Sequence, residues 1–423
     1  MIPHRQHQKK LQMRLNKVEN KTVYEHQALT KKQGLSERHL ELLERFRGDK
    51  EDESFPYYSL IHNGVKFKHY VGVLNVGGMQ IEVLPKTDNS DATEAYWRGH
   101  LLTMLRTVYK LQAKSPTEAN QKLKSSPILD VFLQRFLEEV EWLLHMGLIK
   151  TYRKDTDNRY SLKGKLVMNK HLAKNIVHKE RFYVNFATYD RNHVCNRILY
   201  QTLHVIPDVT NNSYIANRAR TLCFEFPELY DIVVNDALFN TIQFDRKSED
   251  YKNAIEISKL ILLNYMPDRL DNRNSVLALM FDMNRLWEEY VYIILRRNLK
   301  KYDVSSQVVK RYWVQENGAW KTIRPDIVIR DKNKKRVIAI LDTKWKCPDR
   351  TPSDGDLHQM YVYSKMFATN KTALTYPSTN ESSIYHAHFL DNAPALEPSC
   401  DMLFLKLDKI EEKINEWLLP PSY

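Results

Sequence analysis

The spacing of apolar residues changes period several times along the chain. From Phe55 to Leu84 it is two, and the pairs Asn63-Gly64 and Gly77-Gly78 interrupt it. This pattern predicts hairpin turns joining strands at Tyr57–Ile61, Val65–Val76 and Met79–Leu84, a small sheet or barrel. Upstream, Thr22-Val23-Tyr24 begins a strand, and Ser36 is placed as an N-cap with Leu35 and Leu40 as a hydrophobic staple. Leu40, Leu43 and Phe46 then line one side of a short helix. Beyond Pro85-Lys86 the period becomes three to four, giving helices over Tyr96–Leu111 and Ile128–Met146. Strand-like alternation returns at Leu148–Lys154 and at Tyr160–Met168, around Gly164. Further helices are expected near Val194–Val205, Ser213–Cys223 and Ala254–Leu263. The stretch Pro267–Asn274, rich in Asp, Asn and Arg, marks a boundary.

After that boundary Val276, Leu279, Met280, Met283, Leu286, Trp287, Tyr290, Val291 and Ile294 recur at spacings of three and four, which predicts one amphipathic helix over Val276–Lys300. Ile327 to Ile329 follow Pro325-Asp326. Asp331 to Lys335 supply turn chemistry, and Val337 to Leu341 is an uninterrupted apolar run suited to a strand buried on both faces. The run ends in Asp342-Thr343-Lys344. Strand alternation puts Asp342 and Lys344 on one face and Thr343 and Trp345 on the other, and a hairpin brings Asp326 beside them.

Two carboxylates and a lysine at the polar end of a buried strand pair suit a hard divalent cation, which takes oxygen ligands and commonly uses one or two protein carboxylates plus substrate phosphate. Lys344 can then orient or help deprotonate a water and steady the charge on a phosphate under in-line attack. The order Pro325-Asp326, then Asp342-Thr343-Lys344, resembles the PD-(D/E)XK nucleases. A strand ending in Asp-Thr-Lys is also compatible with a plain solvated terminus, so the flanks matter. Nucleases of this fold commonly bring an acid from the preceding helix. Glu288 borders the apolar stripe and is the favoured site acid; Glu289, four residues after Arg285, is placed for an exposed ion pair. The alternative that both glutamates face solvent stays open. Asp356–Tyr363 reads as the next helix, where Gln359 and Tyr363, four apart, share a face and match the QxxxY element of a subset of these nucleases.

The chain has 423 residues, too many for one ordinary core. Its 43% hydrophobic and 27% charged residues describe a soluble globular protein. There is no 18-residue apolar run and the first residues carry charge without an apolar core, so neither a membrane span nor a secretory signal is expected. Cys195, Cys223, Cys347 and Cys400 follow no metal or disulfide spacing, which points to a reducing cytoplasm. The net charge is +12, and Val276–Arg350 alone holds 17 Lys and Arg against 9 Asp and Glu, a net +8. An anionic partner is expected where the candidate site lies.

Taken in order, the segments resemble the McrC family, the nuclease subunit of modification-dependent restriction systems. The resemblance runs through Tyr24-Glu25-His26, Tyr70-Val71-Gly72-Val73, Ile81-Glu82-Val83-Leu84-Pro85-Lys86 and Leu162-Lys163-Gly164-Lys165-Leu166. It continues through Asn196-Arg197-Ile198-Leu199, Met283-Asn284-Arg285-Leu286-Trp287-Glu288, Arg324-Pro325-Asp326, Leu341-Asp342-Thr343-Lys344 and Gln359-Met360-Tyr361-Val362-Tyr363. It implies an α+β multidomain chain: an N-terminal β-rich partner-docking region (1–90), a mainly helical middle (91–270) and a PD-(D/E)XK nuclease domain with a mixed sheet (271–423). It implies cleavage of double-stranded DNA at 5-methylcytosine sites, together with a McrB-like AAA+ GTPase hexamer that this chain docks on and stimulates. No G-x-x-x-x-G-K-[ST] loop is present, so GTP is expected on the partner. Asp326 and Asp342, with the Thr343 main-chain carbonyl and Glu288 through water, are expected to hold Mg²⁺. Lys344 positions the attacking water, and Gln359 and Tyr363 support the site or the DNA backbone. Two alternatives remain: a stand-alone RecB-like metal-dependent nuclease, and a non-catalytic DNA-binding adaptor of an AAA+ motor.

Overall fold

A computed structural model of the chain describes residues 20–48, 54–87, 92–111, 127–267, 275–346, 348, 351–390 and 398–419. The sequence boundary at Pro267–Asn274 falls outside them except for Pro267. Mixed α and β structure is distributed over several sheets. Over the described residues there are two compact units. One holds Asn75–Gln80 and Pro127–Leu279; the other holds Asn20–Leu74, Ile81–Ser126 and Met280–Tyr423. These units cut across the three sequence stretches 1–90, 91–270 and 271–423, because the strands Tyr70–Val76, Met79–Leu84 and Val276–Asp282 each contribute residues to both.

In the first unit the helices Ile128–Met146, Val194–Val209, Ser213–Glu225 and Lys252–Leu263 pack through buried leucine, isoleucine, valine and phenylalanine side chains. Beside them lies a three-stranded sheet in which Phe182–Asp190 is central between Thr151–Arg159 and Lys165–Leu166. The sequence pattern missed that central strand. It also extended Tyr160–Met168 as strand where only Lys165 and Leu166 pair and Met168–Asn175 is helical. The flanking strand Thr151–Arg159 contains no fully buried residue, and in the central strand the buried positions Tyr183, Val184 and Phe186 do not keep a strict alternation.

In the second unit Ala28–Thr30, Gly64–Phe67 and Tyr58–Ile61 form a three-stranded sheet with Gly64–Phe67 in the middle. The expected strand Val65–Val76 is two strands, Gly64–Phe67 and Tyr70–Val76, which belong to different sheets and break at Lys68-His69. The N-terminal β structure is therefore two sheets and not one barrel. Gly77 and Gly78 carry φ of 57° and 87°, the left-handed pair that a tight hairpin turn demands. Ser36 caps the helix Glu37–Arg47 by accepting from the His39 amide at 3.2 Å.

The C-terminal part of the chain can be numbered by its own elements. Strand β1 is Val276–Asp282, helix α1 is Met283–Asn298, and β2 is Tyr302–Ser306. Then come β3 (Lys310–Val314), β4 (Trp320–Ile323), β5 (Ile327–Asp331), β6 (Val337–Thr343) and α2 (Asp354–Phe367). The remaining elements are β7 (Lys371–Ser378), β8 (Ser383–Tyr385), β9 (Ser399–Lys406) and α3 (Ile410–Leu418). A six-stranded sheet runs β2-β5-β6-β7-β9-β8. Its β5–β6 and β2–β5 pairs are antiparallel and its β6–β7 and β7–β9 pairs parallel, so the sheet is mixed. Ile340, Met360, Tyr363, Leu374, Tyr376 and Cys400 form the core between α2 and the sheet.

The single helix expected over Val276–Lys300 is a strand followed by a helix. Val276 to Phe281 is apolar at every position, which satisfies a period of two as readily as one of 3.6. The division is made by Asp282, whose carboxylate accepts from the amides of Asn284 and Arg285 at 2.9 and 3.4 Å and so starts α1 at Met283. Met283, Leu286, Trp287, Tyr290, Val291 and Leu295 are its buried side.

Candidate active site at the ends of β5 and β6

The site is built on one hairpin. Asp331 closes its turn, its carboxylate accepting from the amides of Asn333 and Lys334 at 2.7 and 3.1 Å. A bulge between Ile329 and Arg330 shifts the register, and beyond it Ile327 pairs with Leu341, so the next residue outward on each strand, Asp326 and Asp342, is brought to the same end. Asp326 Oδ2 accepts from the Thr343 amide at 2.8 Å and from Thr343 Oγ1 at 2.9 Å. Its Oδ1 has no hydrogen-bonding partner among the described residues.

Asp342 is 2% exposed. Lys344 Nζ lies 2.7 Å from Asp342 Oδ2 and 3.2 Å from Asp356 Oδ1, so Asp342 and Lys344 do project from one face. Gln359 Nε2 donates to Asp342 Oδ1 at 3.3 Å and to the Tyr363 hydroxyl at 2.6 Å; that hydroxyl donates to the Arg324 carbonyl at 3.2 Å. Glu288 accepts from Gln307 Nε2, and the Gln307 amide donates to the Asp326 carbonyl at 2.9 Å. Glu289 pairs with Arg285 at 2.9 Å, as the four-residue spacing suggests.

A cavity of about 790 Å³ gathers Glu288, Asp326, Asp342, Thr343, Lys344 and Gln359, with Arg285, Glu289, Gln307 and Arg324 among its other walls. Tyr363, 3% exposed, stands behind Gln359 and outside the lining. A second cavity of about 690 Å³, in the helical unit, includes Arg218 and Glu141, but these two are already paired with each other.

The electrostatics of the first cavity are unusual. Burial raises the pKa of Asp326, outweighing its Thr343 hydrogen bonds; burial and then the neighbouring Asp326 raise that of Asp342. Burial, followed by Asp326, pushes Glu288 up to about 7. For Lys344 burial acts downward, but Asp342 and Asp356 more than reverse it, so the ammonium stays protonated well above neutrality. Against its own partial burial Asp356 is lowered to about 2, by Ser353, Lys346 and Lys344. Carboxylates gathered in a partly buried cavity, with one lysine against Asp342 and Asp356, are stabilised by added positive charge.

Three participants were not assigned from sequence. Asp356 was read only as the start of the next helix; Ser353, three residues earlier, caps that helix by accepting the Asp356 amide at 3.2 Å. Gln307, with φ of 54°, and Arg324 reach the cavity through loop geometry that leaves no periodic signal.

Among the described residues no three His, Cys, Asp or Glu side chains converge to hold a metal by themselves, and no helix is long and apolar enough to cross a membrane. A profile of the family described as McrBC 5-methylcytosine restriction system component matches residues 65–377. No curated protein matches the chain. A chain in a refined half-complex, from the tetradecameric assembly of Thermococcus gammatolerans McrB AAA+ hexamers with bound McrC, superposes with a TM-score of 0.67. It has 20% identity over 94% of this chain and 100% of that one. A chain of the T. gammatolerans McrBC complex gives a TM-score of 0.50 at 22% identity, over 67% of this chain and 89% of that one. At these identities the likeness is one of fold.

Proposed function

The chain belongs to the family of McrBC 5-methylcytosine restriction system components, and on that footing we propose that it is the subunit that cuts DNA. One observation carries the reading: half-buried Asp326 and buried Asp342 sit together at the ends of adjacent strands, with the Lys344 ammonium held against Asp342 in the same cavity. An adaptor that only bound DNA would gain nothing from desolvating two carboxylates beside each other, which destabilises the fold.

The donor set fits a hard divalent cation such as Mg²⁺. It is all oxygen, Asp326 retains an uncommitted Oδ1, and the pKa values of both carboxylates are raised, by burial above all. Asp326 and Asp342, with the Thr343 carbonyl, would hold it, and Glu288 would reach it through water. Bound there, the ion would supply charge stabilisation to a phosphate and ease deprotonation of water.

The chain's own residues do the rest. Lys344 is kept protonated by Asp342 and Asp356, so it serves as a fixed cation for phosphate charge and a donor that orients water, and not as a base. Glu288, poised near 7, can take or return a proton at neutral pH. Gln359 fixes the Asp342 carboxylate, and Tyr363 fixes Gln359 against the Arg324 carbonyl. A McrB-like AAA+ hexamer is the partner, in keeping with the related complex of McrB AAA+ hexamers with bound McrC; on the restriction-system reading, duplex DNA is the substrate and GTP binds the partner.

The test is plasmid cleavage with Mg²⁺ on methylated and unmethylated DNA, with and without a McrB-type GTPase and GTP. Cleavage should need methylation, partner and GTP. It should disappear in Lys344→Ala and Asp326→Ala while DNA binding persists. Wild-type cutting by either variant overturns the assignment, and cutting that needs only metal moves the chain to the stand-alone nucleases.

A further inference from the structure

Strands β3 and β4 form a two-stranded ribbon outside the six-stranded sheet. Every residue of β3 is exposed. Tyr312 and Trp313 are 47% exposed, Trp320 is 50% and Val314 is 62%. A lone hairpin is marginal in water, and large rings held outward forgo burial that would stabilise it. Such a ribbon is explained by something that covers it.

The ribbon stands on the candidate active site. The chain enters it from Gln307 and leaves it at Arg324, both in the cavity wall. Gln307 holds Glu288 and the Asp326 carbonyl, and the Arg324 carbonyl accepts from Tyr363. Lys310 at its base donates to the Met366 carbonyl and lies over the Phe367 ring at 5.2 Å. The base is thus anchored to the elements that carry the carboxylates.

Its charge selects the occupant. From Val308 to Arg324 there are four cations, Lys310, Arg311, Lys321 and Arg324, against Glu316, a net +3. Among the described residues none of the four is in an ion pair, and the Arg311 guanidinium stacks 4.5 Å from the Trp320 ring centre. An apolar partner would strand these cations, and a second copy would bring the same positive charge against them. A polyanion with apolar base edges satisfies both features, and a β-ribbon has the width of the major groove.

We propose that the β3–β4 ribbon enters a groove of duplex DNA, with its cations on phosphates and its aromatic rings against the groove wall, and so seats the backbone at Asp326 and Asp342. Only the last step rests on the nuclease reading; the grip on DNA does not.

The experiment uses the full chain and a short fluorescein-labelled duplex, followed by anisotropy in EDTA across a salt series. Trp313→Ala with Trp320→Ala should weaken binding about tenfold or more, and the corresponding Phe pair should restore most of it. Arg311→Gln with Lys321→Gln should lower the log–log salt slope by about 2. Wild-type affinity and slope in these variants would overturn the proposal. So would a loss confined to self-association in sedimentation, with affinity per protomer unchanged. If the chain binds DNA through the ribbon yet never cuts, the nuclease reading fails and this one stands. If ribbon variants cut with normal KM, the reverse holds.

Discussion

Replacing Glu25 by Gln should stabilise the protein at alkaline pH and leave it unchanged in acid. Glu25 is 6% exposed. Its Oε1 accepts from the Lys86 amide at 2.9 Å and from Trp345 Nε1 at 2.8 Å, while Oε2 is buried without a hydrogen-bonding partner among the described residues. Burial, only partly offset by those two hydrogen bonds, pushes its pKa from 4.5 up to about 7. That gap corresponds to roughly 3 kcal/mol. The folded pKa is the raised one, so this stabilisation is complete below about 4.5 and lost as pH rises through about 7. Gln keeps the acceptor at Oε1 and imitates the protonated carboxyl. Urea unfolding followed by tryptophan fluorescence, for which Trp345 is a local reporter, should give coincident midpoints near pH 4. By about pH 8 the Gln variant should lead by roughly 3 kcal/mol. A difference between the two proteins that does not vary with pH would refute the reasoning.

Divalent-cation binding should weaken as pH falls through about 7, because Glu288 then takes up a proton and the raised Asp342 follows; calorimetric titration of Mg²⁺ at about pH 5.5 and 8 should show the loss. Glu288→Gln should abolish that pH dependence near neutrality and cut cleavage strongly. Glu289→Gln, whose partner Arg285 is 78% exposed, should leave cleavage within a few-fold and stability within about 1 kcal/mol. Gly164→Ala should destabilise the helical unit by at least about 1–2 kcal/mol in thermal melts, since φ is +78° and the new Cβ would lie 2.3 Å from the Asn185 carbonyl oxygen. An unchanged melting temperature would show that the loop can shift.

How far the sequence reaches is clearest at the β5–β6 hairpin. Turn residues at Asp331–Lys335, an unbroken apolar run and a polar exit made the two strands and the shared face of Asp342 and Lys344 legible, because strand alternation and turn chemistry are local. The helical spacing of Gln359 and Tyr363 was local too, and so was the pairing of Glu289 with Arg285. What the period could not decide was Val276–Phe281, where uniform apolarity fits strand and helix alike, and the strand Phe182–Asp190, whose buried positions do not keep a strict alternation. The mixed six-stranded order and the two compact units depend on contacts between segments far apart in sequence. The same holds for the site's electrostatics. Asp356 holding Lys344 protonated, Gln307 steering Glu288 and Glu25 buried against Trp345 are pairings across 12, 19 and 320 residues. Local sequence sets which side chains a strand or helix can present together. Only the folded chain decides which of them lose their water beside one another, and that desolvation sets their protonation and hence the chemistry open to them.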